Sequence, residues 1–167
     1  MIFKEKLQTA NITMVKGKPV VMTPRYIIIH STGTGLDTLK GNLRTLMGET
    51  IRPVSAHFLV DGEGNAYKLS EPTFICWHAG VSEWKGEKDL NRFSIGIEVL
   101  GLDKFTDPER KTTKELILHL MKTYGIPKEN VLRHADIAPG RKTDVHENFY
   151  KPEFKTFEDW KNAKLKI

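Results

Sequence analysis

The chain of 167 residues is expected to fold as a single α/β domain, a mixed central β-sheet flanked by helices. Three observations predict it. Short β-branched runs alternate with segments whose apolar residues recur at helical spacing, the pattern of strands joined by helices that pack on a sheet. The length and a 39% hydrophobic content suit one core. Gly and Pro are dispersed as turn punctuation, with no internal repeat, low-complexity tract or linker to divide the chain.

Residues 1–24 precede the first strong strand and are expected to form an extension packed on the domain, as an edge strand or an arm; residues 25–167 form the domain itself. Residues 26–29, following Pro24, read as a buried strand that ends at His30, where the Ser31-Thr32-Gly33-Thr34-Gly35 run breaks it. Asp37 is placed to cap a helix to about Met47, with Leu39, Leu43 and Leu46 on one face and Gly48 closing it. Residues 55–60 and 66–69, separated by Asp61-Gly62-Glu63-Gly64-Asn65, predict a hairpin, and a short strand follows near 74–77. Residues 81–92 are polar and read as a surface loop.

In residues 94–100, Ile95, Ile97 and Val99 alternate with Ser94, Gly96 and Glu98, which predicts a central strand bearing one carboxylate. Asp107-Pro108 opens a helix to about Tyr124 that Gly125 stops. Residues 131–134 predict a short strand ending at His134. No periodicity survives from 135 to 148, where Pro139-Gly140 marks a turn and 141–144 is expected to run extended; a weak helix spans about 157–164.

Composition narrows the function classes. No run approaches the ~20 apolar residues of a membrane span, and Lys4, Glu5 and Lys6 stand where a signal peptide would be apolar. Cys76 is the only cysteine, so no internal disulfide or Cys-rich zinc module can form, and synthesis in the cytoplasm is expected. A net charge of +5 favours polyanionic partners. Nucleic acid is not expected among them, because the lysines are scattered and lack interleaved aromatics.

Three groups are candidates for a metal: His30 and His134, each at a strand end, and Asp144, ten residues beyond His134 across the Pro139-Gly140 turn. Catalytic zinc sites use three His or carboxylate ligands and leave the fourth position to water. Any one of these histidines, taken alone, is equally readable as a packed or hydrogen-bonded side chain. Lys142, two residues before Asp144, leaves an extended segment on the same face, where a cation can stabilise a developing oxyanion; the bland alternative is a surface lysine beside Arg141. Glu98, a carboxylate in an apolar strand next to Gly96, is placed for proton transfer, unless it merely points outward from an edge.

Five runs carry a resemblance: Tyr26-Ile27-Ile28-Ile29-His30-Ser31-Thr32, Ser55-Ala56-His57-Phe58-Leu59-Val60-Asp61, Trp77-His78-Ala79-Gly80, Asn91-Arg92-Phe93-Ser94-Ile95-Gly96-Ile97-Glu98, and the segment from His134-Ala135-Asp136 through Pro139-Gly140-Arg141-Lys142-Thr143-Asp144. In this order the chain resembles the type 2 N-acetylmuramoyl-L-alanine amidases, which share a fold with peptidoglycan recognition proteins and phage lysozyme-type amidases. The resemblance implies a zinc hydrolase that cuts the lactyl–L-alanine amide of peptidoglycan or muropeptides. It places Zn2+ on His30, His134 and Asp144, and matches Glu98 to the catalytic acidic residue and Lys142 to the lysine near the carbonyl oxygen. Phage lysozyme-type members carry a cysteine and a tyrosine for the third ligand and the glutamate's function, so Asp144 and Glu98 point to the muropeptide-recycling branch.

The expected substrate-binding set is His57, His78, Trp77 and Asn91, with Trp84 a further candidate for stacking on a sugar. For His57 a buried, hydrogen-bonded place is an equal alternative. His119 and His146 read as surface residues and Cys76 as a small buried hydrophobe. The expected role is an endolysin-type enzyme, monomeric, acting on the cell wall without nucleic-acid or membrane partners. The alternatives are a cytoplasmic enzyme recycling anhydro-muropeptides and a wall-binding module without catalysis; the complete set of ligands and acid/base residue argues against the last.

Overall fold

The computed structural model describes residues 2–33, 38–151 and 153–166. Its elements, in chain order, are β1 (Glu5–Lys6), β2 (Met14–Val15), β3 (Lys18–Pro19), β4 (Tyr26–Ser31), α1 (Leu39–Leu46), β5 (Phe58–Val60), β6 (Ala66–Lys68), β7 (Glu83–Trp84), β8 (Glu87–Lys88), β9 (Ser94–Val99), α2 (Asp107–Tyr124), β10 (Val131–Arg133), α3 (His134–Ile137) and α4 (Phe157–Lys164). Six strands form a mixed sheet in the order β1-β6-β5-β9-β4-β10. Only β5 and β6 pair antiparallel; the other neighbours run parallel.

The two central strands, β4 and β9, are buried along almost their whole length, which is why residues 26–29 read as a continuous apolar run. Side chains alternate across the sheet. Ile27, Ile29, Ile95, Ile97, Val99, Phe58 and Val60 point to one face and join Leu116, Ile117, Leu120, Phe157 and Trp160 in the main core under α2 and α4. The other face is covered in two separate patches. At one end α1 and the N-terminal segment pack Leu46, Leu39, Leu43 and Leu7 on Leu59, Tyr67 and Leu69. At the other end Ala79, Leu90 and Ile137 cover Tyr26, Ile28 and Leu132. His30 and Glu98, paired in register on β4 and β9, stand between these patches.

Local chemistry sets the ends of the helices. Thr106 accepts from Glu109 N–H while the Glu109 carboxylate accepts from Thr106 N–H, a capping box that opens α2, and Gly125 closes it at φ 65°. The β5–β6 connection is an Asx turn on Asp61 Oδ1, and Gly64 within it lies so close to Pro108 that a Cβ there would come 2.9 Å from a backbone oxygen. Thr38 caps α1; the expected cap Asp37 lies outside the described residues, as do Thr34 and Gly35.

Several expectations need correction. At the sheet edge β1 runs parallel to β6, bonded through Lys4 N–H to Ala66 O at 2.9 Å and Leu7 N–H to Lys68 O at 2.7 Å. Residues 74–77 form only isolated bridges to that extension, Ile12 with Cys76 and Val21 with Phe74. The surface loop 81–92 contains the β7–β8 hairpin and a 3-10 turn. The strand expected to end at His134 stops at Arg133, and His134 opens α3. Segment 141–144 begins in a turn, with Arg141 and Lys142 N–H both donating to Ala138 O, and pairs with no strand.

His57 ties three pieces of this frame together. It is fully buried, its Nδ1 accepts from Gly96 N–H at 2.9 Å and its Nε2–H donates to Phe74 O at 2.8 Å. Burial lowers its pKa from 6.5 to about 4, so the folded chain refuses a proton that the unfolded chain takes up. The stability this neutral imidazole confers is complete above pH 6.5 and is lost as pH falls through 4, by on the order of 3 kcal/mol. Urea unfolding of wild type and His57→Gln should therefore show a steeper acid loss in the wild type across that window; parallel curves would contradict it.

Candidate metal centre and groove

The three expected ligands, drawn from distant parts of the chain, come together. His30 Nδ1 lies 2.9 Å from His134 Nδ1, and Asp144 Oδ2 lies 3.2 Å from His134 Nδ1 and 3.5 Å from His30 Nδ1. Among the described residues, this is the group of His, Cys, Asp and Glu side chains arranged to hold a metal ion. Both imidazoles are buried and Asp144 is half-buried. Parallel pairing of β4 with β9 and β10 brings the strand ends to one edge, and Ala135 N–H donates to Asp144 O at 2.7 Å, folding residue 144 back onto α3.

Hydrogen bonds determine which ring nitrogens carry protons. His134 Nε2 is 3.0 Å from Ala79 O, a pure acceptor, so Nε2 is protonated. His78 Nε2 faces Ser94 O at 3.3 Å and Ser94 Oγ at 3.4 Å, and that hydroxyl already donates to Leu90 O, so His78 donates from Nε2 and accepts at Nδ1. His30 Nε2, 3.0 Å from His78 Nδ1, must then be the donor. Two Nδ1 lone pairs and a carboxylate oxygen are thereby aimed at one point, mutually repulsive until a cation sits among them. The chemistry of the donor set fits zinc, whose tetrahedral ligands lie about 3.3 Å apart given bonds of about 2.0–2.1 Å.

The electrostatics agree. Burial pushes the His30 pKa from 6.5 down to about 4, so its imidazole is neutral and available as a ligand. His78 is lowered well below the ordinary range, again by burial.

The trio lies in a groove of about 350 Å³ between α1 and the 141–146 segment. Glu98, beside His30 on the sheet, and Lys142 both line it, as do Trp77 and His78. Sequence reasoning missed other lining residues, among them Asn42 and Thr45 of α1, Arg52 and Leu102. Their elements lack any local motif; only the fold brings them to the opening. His146, expected at the surface, is half-buried and also lines the groove.

The substrate-binding expectations fare unevenly. His57 is buried with both ring nitrogens committed to the frame, so its expected contact with substrate is corrected. Asn91 is corrected likewise: its Oδ1 accepts from His78 N–H at 3.0 Å and Ala79 N–H at 2.8 Å, so it clamps the 77–80 loop from outside the groove lining. Trp84 packs with Phe93 on the Tyr26 and Leu132 patch, away from the groove. Trp77 remains in the wall, its indole N–H donating to Thr13 Oγ1 at 3.1 Å.

Comparison with known proteins places these features. The family model described as N-acetylmuramoyl-L-alanine amidase matches residues 20–147. The 1,6-anhydro-N-acetylmuramyl-L-alanine amidase AmpD of Escherichia coli (strain K12) is 39% identical over 143 residues, 76% of this chain and 78% of AmpD. N-acetylmuramoyl-L-alanine amidase AmiD of the same organism is 35% identical over 138 residues, 72% of this chain; the chain spans 48% of AmiD's length. A solved complex of AmiD from E. coli with the substrate anhydro-N-acetylmuramic acid-L-Ala-D-γ-Glu-L-Lys superposes with a TM-score of 0.66 at 28% identity, over 80% of this chain and 56% of that one. A mutant endolysin from Bacillus subtilis shares the fold, with a TM-score of 0.71 at 24% identity over 96% of this chain and 98% of the endolysin. With its matched domain, its mixed sheet and its gathered His30, His134 and Asp144, this chain belongs to the type 2 N-acetylmuramoyl-L-alanine amidase family.

Proposed function

We propose that this chain is a zinc-dependent amidase that hydrolyses the bond between the lactyl group of N-acetylmuramic acid and L-alanine of the stem peptide. The observation that carries the proposal is the convergence of two imidazoles and a carboxylate beside Glu98, at the base of an open groove. His30 Nδ1, His134 Nδ1 and Asp144 Oδ2 would hold the ion. When bound, zinc supplies Lewis acidity, polarising a carbonyl and making a water acidic near neutral pH.

The chain's own groups do the rest. Glu98 takes a proton from the attacking water and returns it to the alanine nitrogen as the C–N bond breaks, leaving a lactyl carboxylate and a free amine. The Lys142 ammonium, in the groove wall two residues from Asp144, offers positive charge to the carbonyl oxygen as it becomes anionic. Arg141 donates to Ala79 O at 2.9 Å and Val81 O at 2.7 Å, bracing the loop opposite.

The first setting we propose is endolysin-like action on the intact wall, since a charge of +5 suits an anionic polymer. A second setting, cleavage of soluble anhydro-muropeptides, draws support from the identity with AmpD and from the muropeptide bound to AmiD. No helix among the described residues is long and apolar enough to cross a membrane. We further propose that the chain acts as a monomer.

Mass spectrometry of products from intact sacculi and from soluble anhydro-muropeptides tests both levels. Stem peptides with free L-alanine amines from sacculi, lost on chelation, are expected; cleavage of the soluble substrate alone would replace the first setting by the second, and no cleavage of either would overturn the amidase proposal. Glu98→Gln should retain zinc and fold while kcat falls by about 10²- to 10⁴-fold. Unchanged turnover would remove Glu98 from proton transfer.

A further inference from the structure

We propose that the two-residue stretch His78-Ala79, clamped by Asn91, sets the tautomer and orientation of both ligand imidazoles, so that His78 and Asn91 are positioning residues and not substrate contacts. The inference rests on the metal-site reading above, and concerns what holds that site in shape before any ion arrives.

Each imidazole donates its outer hydrogen bond to this one stretch. His30 Nε2–H donates to the His78 ring, and His134 Nε2–H donates to the next residue's carbonyl, Ala79 O. An acceptor placed at Nε2 keeps the proton there and leaves Nδ1 as a lone pair facing the centre. Without either acceptor the corresponding ring is free to carry its proton on Nδ1, which turns a ligand into a donor pointed at the site.

The stretch is itself held on every side. Asn91 Oδ1 receives the backbone N–H of both His78 and Ala79, so a single side chain fixes the backbone of the two residues that carry the acceptors. The His78 ring is anchored at its far end on Ser94. It lies against the sheet over Gly96, where a Cβ would come 2.5 Å from His78 Cγ and 2.7 Å from Nδ1. Only glycine leaves room for that ring, which explains an achiral residue in the middle of the central strand. His78 is 8% exposed, and both of its ring nitrogens are engaged, so little of it remains to meet a substrate.

The test measures the metal-free protein first. Long-range 1H–15N correlation on apo protein should show His30 and His134 as Nε2–H tautomers in the wild type. In His78→Phe, which keeps a flat ring but offers no acceptor, His30 should become a mixture of tautomers, and zinc affinity by chelator competition should fall about 10- to 100-fold. His78→Gln, whose amide can accept from His30 and donate to Ser94, should recover most of that loss. Gly96→Ala, should His78→Phe fail to fold, displaces the same ring and is expected to weaken zinc similarly. Asn91→Ala should disturb His30 and His134 together.

Wild-type tautomers and zinc affinity in both His78→Phe and Gly96→Ala, or a rise in KM alone with zinc affinity intact, would overturn the inference in favour of a structural or substrate-contact role. A wild-type protein that binds no zinc would defeat the metal reading instead, while the apo tautomers would still decide this one.

Discussion

The structure depends on a repulsive arrangement: two imidazole lone pairs and a carboxylate oxygen held within 3.5 Å of one another at the base of an open groove. Such a cluster is costly unless a cation resides in it, because each group has given up hydration and none supplies a proton to the others. Everything around the cluster serves to keep it assembled. The parallel strands bring His30 and the start of α3 to one edge, and the turn at Ala138 returns the chain so that Asp144 faces them.

The groove follows from how the sheet is covered. One face is sealed by α2 and α4 in a continuous core, which gives the domain its stability without involving the site. The other face is covered at its two ends only, by α1 and by the α3 region, and the uncovered middle is where His30 and Glu98 stand in register. The layer that shapes the site also lies on this face: Gly96 leaves a place for His78, and His57 fastens the neighbouring strand to Phe74. A polar cluster beside a sheet is thus held in place by backbone and histidine contacts.

Legibility in the sequence tracks how local each signal is. The strands at 26–31 and 94–99 and the helix at 107–124 were readable because burial on both faces, or on one helical stripe, writes a period into the residues themselves. The edge strand β1 is two charged residues that gain their strand identity only from pairing with β6, and charges on an edge are what discourages further pairing. The β7–β8 hairpin turns on Lys85 and Gly86, both at positive φ, a conformation that Lys seldom adopts and that therefore reads as loop. In the site, the spacing of His30, His134 and Asp144 pointed to a trio. His57 was readable as a buried, hydrogen-bonded residue because it alternates with apolar neighbours in a strand, and His78 as a groove residue because it adjoins Gly80 and the polar loop; that the His78 ring packs over Gly96 was not readable, since only the tertiary fold brings the two together. Arg52 and Asn42 reach the groove purely by tertiary arrangement.

The most direct measurement of the central claim is zinc K-edge X-ray absorption on the protein loaded with one equivalent of the metal. The account predicts a shell of light atoms at about 2.0–2.2 Å with the outer scattering of two imidazoles and no sulfur. A shell without imidazole scattering, a sulfur ligand from Cys76, or failure to take up the metal at all would contradict it.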